Sequence, residues 1–154
     1  MSETICVKVT PELLRLASGA TLSAELVQEI NDFCWLWPAY ERGQTTSDYN
    51  VEPITGVEES ALDFFSYRYL NGPDASDRLN ELVRSCSEAD TVRQLSSDQP
   101  ELRQKALRFV VRRIRNNLFH GNKASAGIEP NELNLFKYAN LLLKHWIGIP
   151  VPSE

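Results

Sequence analysis

Residues 98–121 are the most informative stretch of the chain and read DQPELRQKALRFVVRRIRNNLFHG. Asp98, Pro100 and Glu101 are typical of a helix start, because an Asp-x-x-Glu pair caps free backbone N–H groups and proline fits the first turn. Gly121 is typical of a helix end, since glycine adopts the left-handed C-terminal conformation at little cost. The stretch therefore predicts one long helix that ends near Gly121.

The apolar residues of this predicted helix recur at helical spacing. At ~100° per residue they gather on one arc, and such an arc must face a hydrophobic core. The arc consists of Ala106, Leu107, Val110, Val111, Ile114 and Leu118. The opposite half of the helix carries most of the basic residues, so this segment predicts a core face and a charged face.

The other segments with regular periodicity also have helical spacing. Apolar stripes occur in 23–37, 58–71, 74–86 and 131–147, bounded by capping residues, prolines or glycines. Pro38 is expected to kink or end the first of these helices. Residues 1–20 are interpreted as an N-terminal extension or short helix, and 41–57 as a long loop. We therefore expect one all-α domain over residues 1–154, folded as a helical bundle of five to six helices.

Composition excludes several classes of protein. With 42% hydrophobic and 24% charged residues the chain is of ordinary globular composition, and it contains no apolar run near the ~20 residues that a membrane helix needs. Three widely spaced cysteines favour a reducing compartment over a disulfide scaffold or a zinc site. We expect a cytoplasmic protein without a signal peptide, a bound metal or a cofactor.

The net charge of −5 is unevenly distributed along the chain. Between Glu101 and Lys123 there are seven basic residues and one acidic residue, a net charge of +6, which leaves −11 for the remainder. Clustered arginines are typical of phosphate binding. A solvated helix face is the alternative, although such a face usually mixes both signs of charge. The candidate RNA-binding residues are Lys105, Arg108, Arg112, Arg113 and Lys123.

The end of the long helix carries the candidate catalytic residues Arg115, Asn116 and His120. A histidine that titrates near neutral pH suits acid–base chemistry. Asn116 and His120 are i,i+4 neighbours, whereas Arg115 and His120 would lie roughly 140° apart on a regular helix. For both to contact one phosphate, the helix must unwind near Phe119, or Arg115 must reach around it. Alternatively, two copies of the segment face each other across a two-fold axis.

This segment resembles the HEPN superfamily, whose pattern is Arg, four to six residues, then His at the end of a late basic helix. The pattern is matched by Arg115, the polar Asn116 that follows it, and His120. The sequence RNNLFHG is similar to that found in many bacterial members. Members that are paired with a nucleotidyltransferase antitoxin usually carry Tyr two residues after the His. This chain has Asn122 there, so that regulation is not carried over.

The resemblance implies a metal-independent endoribonuclease that acts as a homodimer with a composite active-site cleft. Bacterial members often serve as toxins or in phage defence, with an antitoxin or regulatory protein as partner. The ribose 2′-hydroxyl would attack its own phosphate to leave a 2′,3′-cyclic phosphate. His120 would act as general acid and base, Arg115 would stabilise the developing charge, and Asn116 would orient the reacting groups.

Other interpretations of the same residues remain open. The basic helix would also suit a non-catalytic module that binds RNA, a nucleotide or an acidic protein, or a dimeric adaptor whose basic face packs on its own acidic surface. The end of the helix could also be a simple cap, in which His120 bonds the last carbonyls. His145 is interpreted as a surface or partner-facing residue, and Trp35, Trp37 and Tyr40 as core or interface aromatics. Tyr67 and Arg68 are candidates to line a cleft. Asp63, Asp74 and Asp77 show no metal-ligand pattern.

Overall fold

The computed structural model describes residues 22–43, 56–119 and 132–148. This part of the chain contains six α-helices and no strand, so the predicted all-α bundle is confirmed. The helices are α1 (Ala24–Gly43), α2 (Gly56–Ser66), α3 (Ala75–Leu82), α4 (Cys86–Arg93), α5 (Pro100–Phe119) and α6 (Leu133–Ile147). The predicted N-terminal segment, most of the predicted loop, and residues His120, Asn122 and Lys123 lie outside the described residues.

Helix α1 begins where the Ser23 hydroxyl accepts a hydrogen bond of 3.1 Å from the Leu26 amide. It continues through Pro38 to Gly43, so residues 41–43 belong to the helix and not to the predicted loop. Pro38 itself is exposed, whereas Trp37 and Tyr40 on either side of it are buried. The burial of these two aromatic rings stabilises the turn that lacks the proline N–H.

The core lies between α1 and α6; α2 packs on α6, and α5 packs on α2, α3 and α4. Three fully buried phenylalanines, Phe33, Phe65 and Phe136, are among its largest side chains. The rings of Phe33 and Phe136 meet edge to face with centroids 5.8 Å apart. Burying one such side chain contributes about 1.5–3 kcal/mol to stability. The predicted apolar arc of α5 also faces this core, and only its last member, Leu118, is half-buried.

The stripe predicted over residues 74–86 is divided between two helices. α3 ends at Leu82 and α4 begins at Cys86, which is exposed instead of buried. The Ser85 hydroxyl accepts a hydrogen bond of 3.1 Å from the Glu88 amide, and the Glu88 carboxylate accepts one of 2.7 Å from the Arg84 amide. This reciprocal cap stabilises a new helix start and ends the continuity that the spacing predicts.

Two helix ends depart from regular α-helical backbone. A π-helical turn over Tyr67–Asn71 continues α2. At the end of α6, Gly148 has a φ of 90°, and its amide donates to the carbonyl of Lys144 at 3.0 Å. The predicted glycine stop at Gly148 is confirmed.

Candidate functional site

The basic residues of α5 fall into three groups according to their burial. Lys105 and Arg112 are exposed, Arg103, Arg108 and Arg115 are half-buried, and Arg113 is buried. A helical wheel places all of these residues except Arg103 on the half opposite the apolar arc. Burial therefore separates residues that can meet a ligand freely from residues that also contact the fold.

Arg113 is buried, contrary to the expectation that it faces solvent to bind RNA. Its side chain is 6% exposed, and its Nε donates a hydrogen bond of 3.1 Å to the Leu82 carbonyl. Its Nη2 donates to Oδ1 of Asn117 at 3.1 Å, and the Glu88 carboxylate lies 3.8 Å from Nε. The guanidinium thus stabilises the junction between α3 and α4, where helix-terminal carbonyls need donors.

Asn117 shares this structural task one turn later on α5. Its Nδ2 lies 3.4 Å from the Glu81 carbonyl and 3.2 Å from the Leu82 carbonyl, and donates to both. Asn117 is 4% exposed. Arg113 and Asn117 together close the C-terminal end of α3 and hold the last two turns of α5 in position.

Arg108 contacts an aromatic cluster formed by Tyr40 and Trp146. Its Nη1 donates a hydrogen bond of 2.7 Å to the Tyr40 hydroxyl, and its Cζ lies 4.5 Å from the Trp146 ring centroid. A guanidinium over an indole face is stabilised by the ring quadrupole. Arg108 therefore joins α5 to α1 and α6, and only part of its surface remains open to a ligand.

Arg115 and Asn116, two of the three candidate catalytic residues, lie in the last turns of α5. Both are half-buried, and Nη1 of Arg115 donates a hydrogen bond of 3.0 Å to Oδ1 of Asn116. The Cζ of Arg115 lies 6.0 Å from the ring centroid of the buried Trp37. This places a cationic group and an amide side by side at the end of the helix, a pair of donors suited to an anionic oxygen. The third candidate, His120, lies outside the described residues.

A second cluster of polar and titratable residues, formed by Glu58, His145 and Trp146, was missed by the sequence analysis. Glu58 is 2% exposed, and its Oε2 accepts a hydrogen bond of 3.2 Å from the Trp146 indole N–H. Its Oε1 lies 3.8 Å from Nε2 of His145. His145, interpreted above as a surface or partner-facing residue, is half-buried beside this carboxylate. The only local signal was the acidic residue at the start of α2, and that pattern usually indicates a helix dipole contact.

A small cleft lies beside the π-helical turn. It encloses about 260 Å³, including its open mouth. Its walls include Arg68, Tyr69, Arg78, Glu81, Ile114 and Asn117. Arg68 lines it as expected, with Nη2 3.5 Å from the buried Glu132 carboxylate, whereas Tyr67 is 62% exposed. Burial raises the pKa of Tyr69 above its ordinary value, and the adjacent Arg68 opposes the shift.

Trp35, Trp37 and Tyr40, three aromatic residues of α1, divide between core and surface. Trp37 and Tyr40 belong to the core, with ring centroids 5.4 Å apart. Trp35 points away and is 53% exposed. Of the two interpretations offered for these residues, a core position therefore holds for Trp37 and Tyr40.

Within the described ranges, no group of three or more His, Cys, Asp or Glu residues is arranged to hold a metal ion. None of the helices in these ranges is long and apolar enough to span a membrane. Cys34 and Cys86 are not in disulfides, and burial raises the pKa of the Cys34 thiol.

Comparison of the chain with protein-family models, with curated proteins and with solved structures found no match.

Proposed function

We propose that the protein is a metal-independent endoribonuclease that cleaves RNA through its own 2′-hydroxyl. The observation that supports this most directly is the Arg115–Asn116 pair, hydrogen-bonded at 3.0 Å and half-buried in the last turns of α5. His120 follows in the sequence, five residues after Arg115. The three residue types match the HEPN pattern and supply what this reaction needs.

The proposed chemistry uses no group from outside the chain and its substrate. His120 removes the proton of the 2′-hydroxyl, whose oxygen attacks the adjacent phosphorus. The bond to the 5′-oxygen breaks, and that oxygen leaves with a proton donated by the protonated His120 imidazole, which yields a 2′,3′-cyclic phosphate and a 5′-hydroxyl. Arg115 stabilises the charge on the non-bridging oxygens, and Asn116 orients the guanidinium through its hydrogen bond.

The proposal includes a homodimer with a composite cleft and a role as a bacterial toxin or phage-defence effector under the control of an antitoxin or regulatory protein. A two-fold arrangement would bring two copies of the Arg115–Asn116 pair and two histidines to one phosphate. Sedimentation should then give twice the mass of the chain.

The decisive experiment compares wild type, His120→Ala and His145→Gln on labelled RNA, with and without EDTA. The chain has only two histidines, so His145→Gln is a matched control. We expect cleavage by wild type and His145→Gln, with or without EDTA, and none by His120→Ala. Mass spectrometry should find cyclic phosphate ends. Cleavage that persists in His120→Ala, or that EDTA abolishes, would contradict the proposal.

The second candidate function is RNA binding without cleavage. Lys105 and Arg112 favour RNA binding without cleavage, because both are exposed and their contacts with phosphates would not require His120. In that case the wild-type protein would shift the electrophoretic mobility of the RNA and leave its length unchanged.

A further inference from the structure

The solvent-facing side of α5 carries a row of four residues, here called the α5 stripe: Lys105, Phe109, Arg112 and Asn116. Their spacing of four, three and four residues aligns them along one side of a helix. Lys105 and Arg112 are exposed, whereas Phe109 and Asn116 are half-buried. The stripe therefore runs lengthwise toward the Arg115–Asn116 pair.

The two cations of the stripe differ from the other arginines of α5. Arg113 donates to the Leu82 carbonyl, and Arg108 donates to the Tyr40 hydroxyl. Among the residues that the structure describes, no hydrogen bond or ion pair involves the side chains of Lys105 or Arg112. Their full charge is thus available to a polyanion.

Phe109 lies between these two cations and is held in place from behind. It packs against the hydrophobic core, so its ring is anchored while part of it reaches solvent. Bases stack on such aromatic rings in proteins that bind single-stranded nucleic acid, in grooves whose cations follow the backbone.

The spacing of the stripe fits a short length of strand. Lys105 and Arg112 are seven residues apart, which is ~10 Å along a helix axis. Three stacked nucleotides at ~3.4 Å each cover this distance. A duplex presents no free base face to Phe109, because its bases are stacked on one another, whereas an unpaired strand does.

We propose that the α5 stripe binds single-stranded RNA, with Phe109 stacking on an unpaired base and Lys105 and Arg112 contacting phosphates on either side. The inference takes its ligand class, RNA, from the proposed function and narrows it to unpaired strands. The bound strand leads directly to Arg115 and Asn116, where cleavage is proposed.

The test uses the full chain carrying His120→Ala, so that the RNA stays intact during binding. Fluorescence anisotropy measures affinity for a short labelled single-stranded RNA and for the duplex made with its complement. Phe109→Leu removes the ring and keeps apolar bulk. Its matched control is Phe64→Leu, since Phe64 is also half-buried but lies on α2 and stacks on Tyr138 of α6 at 4.6 Å.

We expect the single strand to bind more tightly than the duplex, and Phe109→Leu to weaken its binding about 5- to 150-fold. Phe64→Leu should leave it unchanged. The double variant Lys105→Gln, Arg112→Gln should reduce the slope of log affinity against log salt by about 1.4, since each phosphate contact on a single strand contributes about 0.7. Exposed cations elsewhere, replaced in Arg42→Gln, Lys137→Gln, serve as the control.

Equal affinity for duplex and single strand would overturn the inference, as would an unchanged affinity in Phe109→Leu or the absence of RNA binding at low salt. The proposed function is tested independently by cleavage in the wild type. If the wild type cleaves RNA and Phe109→Leu has no effect on affinity, only the proposed role of the α5 stripe is refuted. If the protein binds single strands through Phe109 but the wild type never cleaves them, only the proposed endoribonuclease function is refuted.

Discussion

Arg108 donates a hydrogen bond of 2.7 Å to the hydroxyl of Tyr40, a residue 68 positions earlier in the chain. The same guanidinium covers the ring of Trp146. A side chain that the sequence assigned to RNA binding therefore also joins three helices. Arg112, one turn further along α5, is exposed and makes no such contact.

This difference predicts effects of different size on stability for two similar substitutions. Arg108→Gln should lower the free energy of unfolding by about 1–3 kcal/mol, because it removes a hydrogen bond from a charged donor and a cation–π contact. Arg112→Gln should change it by less than about 0.5 kcal/mol, as is usual for exposed residues. Urea unfolding measures both free energies. Equal effects of the two substitutions would contradict the structural role assigned to Arg108.

Arg113→Met should be strongly destabilising and should affect RNA binding only through the fold. It leaves the Leu82 carbonyl without one of its donors and separates Glu88 from its cation, at a cost of about 2–4 kcal/mol. Arg93→Met is the control, since Arg93 pairs with Asp90 at 2.6 Å but both side chains are exposed. That pair should contribute about 0–1 kcal/mol. If thermal or urea unfolding shows that Arg93→Met lowers the free energy of unfolding more than Arg113→Met does, the structural role assigned to Arg113 is wrong.

Arg115→Gln should lower the rate of RNA cleavage at saturating substrate by about 100- to 1,000-fold, because removing one donor to a developing anionic charge typically has that effect. Arg112→Gln should weaken binding and leave the saturated rate nearly unchanged. Single-turnover kinetics over a range of enzyme concentrations separates the two parameters. A saturated rate that falls equally in both variants would argue against a special role for Arg115.

The buried phenol of Tyr69 should make the protein less stable at alkaline pH. Burial holds the pKa of its phenol above the ordinary value of 10.0, so the folded state retains a proton that the unfolded state releases. The free energy of unfolding should therefore fall as pH rises above about 10. Tyr69→Phe should show a smaller fall between about pH 8 and pH 11, measured by urea unfolding.

Tyr67→Phe is the control for this alkaline effect, because Tyr67 is two residues away but 62% exposed. It should behave like wild type over the same pH range. An identical pH dependence in Tyr69→Phe and wild type would show that the buried phenol does not contribute.

The features that could be predicted from the sequence depend on neighbours close along the chain. The start of α5 at Pro100, the glycine that ends α6, and the apolar arc from Ala106 to Ile114 all follow from caps and periodicity within a few residues. Helical hydrogen bonds join residues four apart. Local sequence therefore specifies where a helix begins, which of its faces is apolar and where it ends.

The features that could not be predicted depend on partners far away along the chain. Arg113 is buried because its donors meet the Leu82 carbonyl, 31 residues earlier, and its place on the helical wheel carries no sign of that carbonyl. Glu58 likewise accepts from Trp146 across 88 residues. Periodicity and charge thus specified an all-α chain with one cationic helix. Packing separated the arginines that hold helices together from the two cations left facing solvent, because burial and hydrogen bonding depend on which helix ends meet in space.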